Sequence, residues 1–162
     1  MQVLEFADFD NDLPVRALIR EYVDLLPFDI TYQRFDRELD DLASLYSAAA
    51  RGALFIATEN GALAGCVAIK QFDGKSCEMK RLYVRSSFRG RNLGRLLTEA
   101  AIQKAQQLQY RFIKLDTEVR AHAVAISLYR KLGFREIKSY HTIPLDLLFM
   151  ELDLQTYSNQ RS

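Results

Sequence analysis

The chain has 162 residues, of which 27% are charged and 49% apolar, and its formal net charge is +1. This balance is typical of a folded domain with one core and excludes a disordered chain. The N-terminus lacks a basic segment followed by an apolar run, and no window reaches about eighteen apolar residues, so we expect neither a secretion signal nor a membrane span. A cytoplasmic location follows by default.

The near-neutral total hides opposite charge balances in two parts of the chain. Residues 1–50 carry eleven acidic and four basic residues, a balance of −7, whereas residues 51–162 carry ten and eighteen, a balance of +8. One part could therefore suit a cation and the other an anion, unless both are merely solvated faces.

Hydrophobic periodicity and turn signals predict two helices and four strands in the first half of the chain. In chain order these are a strand at 3–6, helices at 14–26 and about 36–50, and three strands between 53 and 84 with turns at 59–61 and 72–75. The Asn60-Gly61 pair is a strong hairpin signal, so the three strands are expected to pair antiparallel.

Two helices and three strands are predicted in the second half. In chain order these are a helix from Asn92, a strand at 112–117, a helix that ends at Gly133, and strands at 134–140 and 147–154. In the second of these helices Val124, Leu128 and Leu132 share one face and are expected to point inward.

The order of these elements is β α α β β β α β α β β. A strand, a helix and a strand in its middle form a crossover, so those two strands should be parallel neighbours in an otherwise antiparallel sheet. We therefore predict one domain, residues 1–162, of mixed α/β class with helices on both faces of the sheet. Whether its last strands pair across a homodimer stays open.

Cys66 and Cys77 lie on either side of the predicted turn at 72–75. That turn leaves them about four positions out of register, on the order of 13 Å apart, which is too far for a disulfide. We expect two small, partly buried thiols, and neither has the helix N-terminus or histidine neighbour that would activate a nucleophile.

The segment FRGRNLGRLL, residues 88–97, joins a predicted strand to the start of a helix. Free amide groups and the positive end of the helix dipole make such a turn an anion site, and three arginines add charge. Glycines and an asparagine permit left-handed backbone there. The alternative is a basic turn that only caps a helix. Dinucleotide and nucleoside triphosphate motifs are both absent.

Two motifs resemble those of the GNAT superfamily of N-acetyltransferases. RLYVRSSFRGRNLGRLL is similar to its coenzyme A binding motif [R/Q]-x-x-G-x-[G/A], with Arg89 and Gly94 at the ends and Asn92 in place of the inner glycine. AISLYRKLGF, residues 125–134, is similar to A-x-x-L-Y-x-x-x-G-F. His122 stands where many members carry asparagine. The run of elements over residues 54–154 also follows the family, which leaves 1–50 as the variable helical part on the acceptor side.

The resemblance implies an acetyl-CoA dependent N-acetyltransferase that acts on a primary amine of a small molecule or peptide, by direct transfer in a ternary complex. The implied coenzyme contacts come from one strand, the turn and the next helix; they are Leu82, Tyr83, Val84, Arg89, Gly90, Arg91, Asn92, Leu93, Gly94, Arg95 and Ala125. The alternatives are a non-catalytic coenzyme A binding module on the same fold and, less favoured at this net charge, a nucleic-acid-binding protein.

Two catalytic roles are assigned in the same way. Tyr129, at the edge of the buried helix face, would protonate the leaving thiolate, or else only cover the core. Glu78 would act as the base, directly or through a water, or else only pair with Lys70 and Lys80 at the surface.

Asp116 and Thr117 end the neighbouring strand and are expected to contact the acceptor amine, or else to cap a turn. His122 and His141 are too isolated in the sequence to suggest a metal site and no zinc spacing occurs, so no metal is expected. Strict alternation along CEMKRLYV places Cys77, Met79, Arg81 and Tyr83 on one face of a strand and Glu78, Lys80, Leu82 and Val84 on the other. Both faces are then mixed, as a bulged strand beside a site would give, and as a plain, partly exposed strand would give too.

Overall fold

The structure is a computed structural model that describes residues 1–30, 34–120, 122–142 and 145–161. The strands are β1 Gln2–Glu5, β2 Ala53–Glu59, β3 Ala62–Gln71, β4 Ser76–Val84, β5 Phe112–Glu118, β6 Arg135–Ile137 and β7 Leu147–Asp153. The helices are α1 Leu13–Asp24, α2 Phe35–Asp40, α3 Ala43–Tyr46, α4 Leu93–Gln107, α5 Ala123–Leu132 and α6 Leu154–Arg161. Short 3₁₀ turns lie at Phe9–Asn11 and Ser86–Phe88.

The seven strands form one sheet in the order β1-β2-β3-β4-β5-β7-β6. All neighbours are antiparallel except β4 and β5, which are parallel and joined by α4. Apolar residues of α4, α5 and α6 pack on one face, and those of α1, α2 and α3 pack on the other. This confirms the predicted mixed sheet with a central crossover and helices on both faces.

Three predicted elements differ in extent. The helix expected at 36–50 is broken into α2 and α3, because the side chain of Asp41 accepts a hydrogen bond from the amide of Ser44 (3.1 Å) and so competes with the helical pattern. The strand expected at 134–140 is only β6. The expected strand at 147–154 stops at Asp153, whose carboxylate caps the unpredicted α6 at the amide of Gln155 (3.0 Å).

Strand β4 contains a bulge whose position strict alternation of side chains did not predict. Cys66 pairs with Tyr83 and Ala68 with Lys80, so β4 has one residue more than β3 between these pairs, and Arg81 adopts a left-handed φ of 59°. Met79 packs against α4, whereas Tyr83 packs in the core beneath α1. The prediction that Cys77, Met79, Arg81 and Tyr83 share a face is therefore wrong, because the bulge exchanges the faces beyond Lys80.

Helix α5 is rotated from its predicted orientation. Val124, expected inside, is 88% exposed, and the buried residues are Ile126, Tyr129 and Leu132. Gly133 ends the helix with a φ of 100°, as its sequence predicts. Within the described ranges, no helix is long and apolar enough to cross a membrane.

Candidate active site

The parallel strands β4 and β5 separate beyond their first three paired residues. Their pairing runs from Ser76–Phe112 to Glu78–Lys114 and then ends, while β5 continues to pair with β7 as far as Glu118. The resulting gap, with about 680 Å³ of empty space including its open mouth, is lined from both strands and from α1 and α5. Six of the fifteen site residues proposed from the sequence line the gap: Glu78, Leu82, Asp116, Thr117, Ala125 and Tyr129.

The turn between β4 and α4 presents a run of free backbone amides. Among the described residues, no acceptor receives a hydrogen bond from any amide between Gly90 and Arg95. Gly90 has a φ of 76° and Asn92 a φ of 65°, so the asparagine adopts the left-handed conformation proposed for it. A Cβ added at Gly90 or Gly94 would meet no protein atom within 4 Å, so a ligand could approach the backbone closely there. These features fit a pyrophosphate group.

The three arginines of the turn have different surroundings. Arg89 donates to the carbonyl of Val84 (Nε···O 3.1 Å) and thereby ties the turn to the end of β4. Arg91 pairs with Glu59, and Arg95 pairs with Glu99 (3.0 Å), one turn further along α4. Arg89 is the one whose charge is not matched by a carboxylate in the described part of the chain.

Tyr129 is buried at the inner end of the gap, with 6% of its surface exposed. Its ring packs on Phe134 with centroids 5.5 Å apart. Burial, followed by the proximity of Tyr22, raises the pKa of the Tyr129 phenol well above its ordinary value. The hydroxyl therefore keeps its proton at neutral pH, and it is more deeply buried than its position on the helix predicted.

Glu78 is also buried, with 3% of its surface exposed, although its carboxylate has charged neighbours. Its Oε1 lies 3.7 Å from the Lys80 ammonium and 4.0 Å from that of Lys70, and its Oε2 lies 3.5 Å from Nε2 of His141. Oε2 receives no hydrogen bond from a described residue. The alternative role for Glu78, a surface ion pair with Lys70 and Lys80, is therefore correct only about the partners. The two lysines do lie beside Glu78, but its carboxylate is shielded from solvent.

Asp116 and Thr117 point to opposite faces of β5, because neighbours on a strand alternate. The Asp116 carboxylate lies near Glu78 and His141, whereas Thr117 is buried on the other face of the strand, with 9% of its surface exposed. Burial, and then the negative charge of Glu78, raises the pKa of Asp116. Only Asp116 of this pair therefore joins the group around Glu78.

His141 is not isolated, contrary to the expectation from sequence. One ligand atom each from Glu78, Asp116 and His141 can be chosen so that all three lie within 4.8 Å of one another, a spacing that a divalent cation could bridge. Lys70 and Lys80 already place two positive charges beside Glu78, and their repulsion weakens the site for a doubly charged metal ion. His122 lies at the start of α5, where burial lowers the pKa of its imidazole.

The bulge is held by a buried pair that sequence reasoning missed. Arg81 donates to Glu38 through Nη2 (2.6 Å) and Nε (3.1 and 3.2 Å), and the hydroxyl of Tyr46 donates to the same carboxylate. Burial alone would raise the pKa of Glu38, but the hydrogen bonds and charge of Arg81 outweigh it and lower that pKa. The partners are 43 residues apart. No local sequence signal points to such a pair.

A second pair joins α1 to the end of β4. Arg85 donates to Glu21 through Nη2 (2.7 Å) and Nε (3.0 Å), and Tyr83 donates its hydroxyl to the same carboxylate (2.8 Å). Glu21 and Glu38 are thus both neutralised by arginines in or directly after β4. Where the structure describes them, residues 1–50 line the gap with uncharged side chains, those of Tyr22, Leu26, Phe28 and Ile30, so their acidic balance does not form an anionic wall there.

Both cysteines are free and buried, and burial raises the pKa of each thiol to about 12. Cys77 pairs with Gln71, which lies five residues beyond Cys66 on β3. This separation confirms that the two cysteines cannot form a disulfide. Neither thiol is a nucleophile at neutral pH.

Comparison with known proteins identifies the family. Residues 16–134 match the model of the acetyltransferase (GNAT) family. An uncharacterised N-acetyltransferase of Schizosaccharomyces pombe is 36% identical over 141 residues, which cover 86% of each protein. An uncharacterised N-acetyltransferase of Dictyostelium discoideum is 28% identical, with 87% of this chain and 94% of the relative covered.

Solved structures share the fold. A putative acetyltransferase of Salmonella typhimurium, crystallised with its cofactor acetyl-CoA, superposes with a TM-score of 0.73 at 21% identity, over 95% of this chain and 94% of the other. The gap between β4 and β5 and the free amides of the turn lie within the part of the chain that the family model covers. The chain belongs to the acetyltransferase (GNAT) family.

Proposed function

We propose that the protein transfers an acetyl group from acetyl-CoA to a primary amine of a small molecule or peptide, by direct transfer while both substrates are bound. The observation that carries this proposal is the placement of two groups at one gap: Glu78, a carboxylate without a hydrogen-bond donor on Oε2, and Tyr129, a phenol that keeps its proton. The two catalytic groups required are a proton acceptor and a proton donor.

The coenzyme would be held by the turn and the free edge of β4. The amides from Gly90 to Arg95 would bind the pyrophosphate, with Arg89 adding charge, and Leu82–Val84 would offer backbone groups, since β5 does not pair with them. Ala125, half-buried in the wall of the gap, leaves room beside the first turn of α5. Acetyl-CoA supplies an acetyl group activated as a thioester, and its transfer to an ammonium yields an amide, a thiol and one released proton.

Glu78 would remove the proton from the amine and pass it outward. Because Glu78 is 3% exposed, it cannot release that proton directly to bulk water. His141, 3.5 Å away with a 41% exposed side chain, connects the carboxylate to solvent. Asp116 lies in the same group and would hold the ammonium beside Glu78. Tyr129 would hold a proton inside the gap for the thiolate that forms.

Residues 1–50 would form the acceptor side of the site. Helix α1 reaches the gap with Tyr22, whose ring lies 5.4 Å from that of Tyr83 and 6.3 Å from the imidazole of His122. Phe28 contacts the same imidazole, at 6.4 Å. This aromatic wall would face the carbon chain of an acceptor.

Free-thiol release from acetyl-CoA, measured against a panel of amines, amino acids and peptides, tests the proposal. We expect turnover with at least one class, and a fall in kcat of roughly 100-fold or more in Tyr129→Phe and in Glu78→Gln. Tyr157→Phe and Glu136→Gln are matched controls outside the gap and should retain activity. Full activity in the two gap variants would remove both catalytic roles, and acetyl-CoA binding without any transfer would favour a non-catalytic module.

A further inference from the structure

A second hollow adjoins the proposed acceptor site and has no role in the transfer described above. It lies between α2, α3 and the neighbouring parts of β3 and β4, and has about 560 Å³ of empty space including its mouth. The charged residues that line it are Arg34, Arg37, Glu38, Lys70 and Lys80. Lys80 also lines the gap between β4 and β5, so the hollow and the gap share a wall.

Four of the five charged residues that line the hollow are cations, and the fifth is Glu38. Glu38 is already bound by Arg81 and by the hydroxyl of Tyr46. Glu78 lies beside Lys70 and Lys80, with its Oε1 4.0 and 3.7 Å from their ammonium groups, and Asp116 lies in the same group.

The two arginines add to this excess. Neither Arg34 nor Arg37 forms an ion pair with a carboxylate in the described part of the chain, and both are exposed at the start and near the end of α2. The hollow therefore carries a surplus of positive charge directly beside the group that would take the proton of the amine.

We propose that this basic hollow binds an anionic group of the acceptor, so that the acceptor is an amine that also carries a carboxylate or a phosphate. An Arg guanidinium binds either group through paired hydrogen bonds, and an ammonium adds charge. The acceptor's amine would then lie beside Glu78 and Asp116, and its anionic end beside Arg37 and Lys70. The amine's place rests on the proposed function, whereas binding of an anion in the hollow does not.

Burial of Lys80 supports the same assignment. Its side chain is 15% exposed, and burial, followed by the charge of Arg81, lowers the pKa of its ammonium. An anion in the hollow would favour the charged form of Lys80, and the attraction between the two charges would strengthen binding of the anion. A basic patch that serves only solubility would not place a lysine inside the protein.

Steady-state kinetics with matched amines test the selectivity. Butylamine has no anionic group, γ-aminobutyrate carries a carboxylate, and phosphoethanolamine carries a phosphate, so the three separate a plain amine from the two anionic kinds. We expect KM for at least one anionic amine to lie on the order of tenfold or more below that for butylamine. Arg37→Glu should remove this difference, because it raises KM for the anionic amine relative to KM for butylamine.

Arg130→Glu is the matched control, because Arg130, like Arg37, is an exposed arginine in the last turn of a short helix. It should change neither KM. The proposal is overturned if wild type shows no preference for an anionic amine, or if Arg37→Glu changes KM for all three amines equally. Arg37→Met, which removes the charge without reversing it, guards against misfolding of the first variant.

Calorimetric titration provides a readout that needs no turnover. Coenzyme A at saturation occupies the turn at 90–95, and sodium chloride holds the ionic strength constant while butyrate or inorganic phosphate is added. Binding in wild type and Arg130→Glu but not in Arg37→Glu supports the hollow even if no amine is acetylated, in which case only the proposed function fails. Absence of binding by both anions overturns the hollow, even where amine acetylation is observed.

Discussion

Replacing Glu38 by glutamine tests how much the buried pair with Arg81 contributes to folding. The side chains of Arg81 and Glu38 are 5% and 4% exposed, and the change leaves the guanidinium buried without its counter-charge. Removing one partner of such a pair typically costs about 3–5 kcal/mol. Glutamine keeps one acceptor for Arg81 or Tyr46, so we expect a loss near the lower end, about 3 kcal/mol of unfolding free energy. For a domain of this size that is a fall in Tm of roughly 6–12 °C.

Glu21→Gln provides the matched comparison. Its carboxylate binds Arg85 in the same two-point manner and also accepts from Tyr83, but the side chains of Arg85 and Glu21 are 33% and 36% exposed. Solvent screens this pair, so we expect a loss of at most about 1 kcal/mol. Urea unfolding followed by circular dichroism measures both losses. Equal losses in the two variants would refute the argument that burial sets the strength of the pair.

The loss of unfolding free energy at low pH gives a second test of the role of Glu38. Because the pKa of this carboxyl is lowered on folding, its contribution is fully present above the ordinary value of 4.5 and is lost as pH falls below that value towards the lowered one. The difference in stability between wild type and Glu38→Gln should therefore narrow as pH falls below 4.5. A difference that stays constant down to pH 3 would contradict the assignment.

Three further predictions concern the turn and the group around Glu78. Asn92→Gly should leave KM for acetyl-CoA within about threefold of wild type, whereas Asn92→Val, a β-branched residue at a φ of 65°, should raise KM and lower stability by about 1–3 kcal/mol. Asp116→Asn should raise Tm at pH 7, because the raised pKa of Asp116 means that its negative charge opposes folding at that pH. The gain in Tm should disappear below pH 3.8, where the carboxyl is protonated in both the folded and the unfolded state. A gain in Tm that persists in acid would contradict this. EDTA should leave turnover unchanged if Glu78 acts as a base beside two lysines, and a loss restored by a divalent ion would instead assign a metal to Glu78, Asp116 and His141.

The sequence was sufficient for features that depend on short-range pattern. The succession of strands and helices along the chain, the left-handed end of α5 at Gly133 and the glycine-containing turn each follow from periodicity or from the backbone freedom of single residues. The helix break at Asp41 and the start of α6 after Asp153 also have local causes. Each carboxylate accepts a hydrogen bond from an amide of the following helix, and a short polar side chain before a helix is a signal that the sequence contains.

The remaining features depend on residues that are distant in the chain. The bulge at Arg81 reverses the faces of β4, and strict alternation therefore misplaces Tyr83. The pairing of Arg81 with Glu38 and the approach of His141 to Glu78 bring together side chains that only the folded sheet makes neighbours. Composition gave the net charge of residues 1–50, but it did not show that Glu38 and Glu21 are neutralised by Arg81 and Arg85.

The two ion pairs that flank the bulge also limit how acceptor preference can be exchanged between relatives. Residues 1–50 are attached to β4 through Glu21 and Glu38, so a chimaera that replaces only this part would leave Arg85 and the buried Arg81 facing foreign side chains. Such a chimaera would lose stability before its preference could be measured. Grafts should therefore include residues 81 and 85 together with residues 1–50. The helical part and the end of β4 must then be exchanged together.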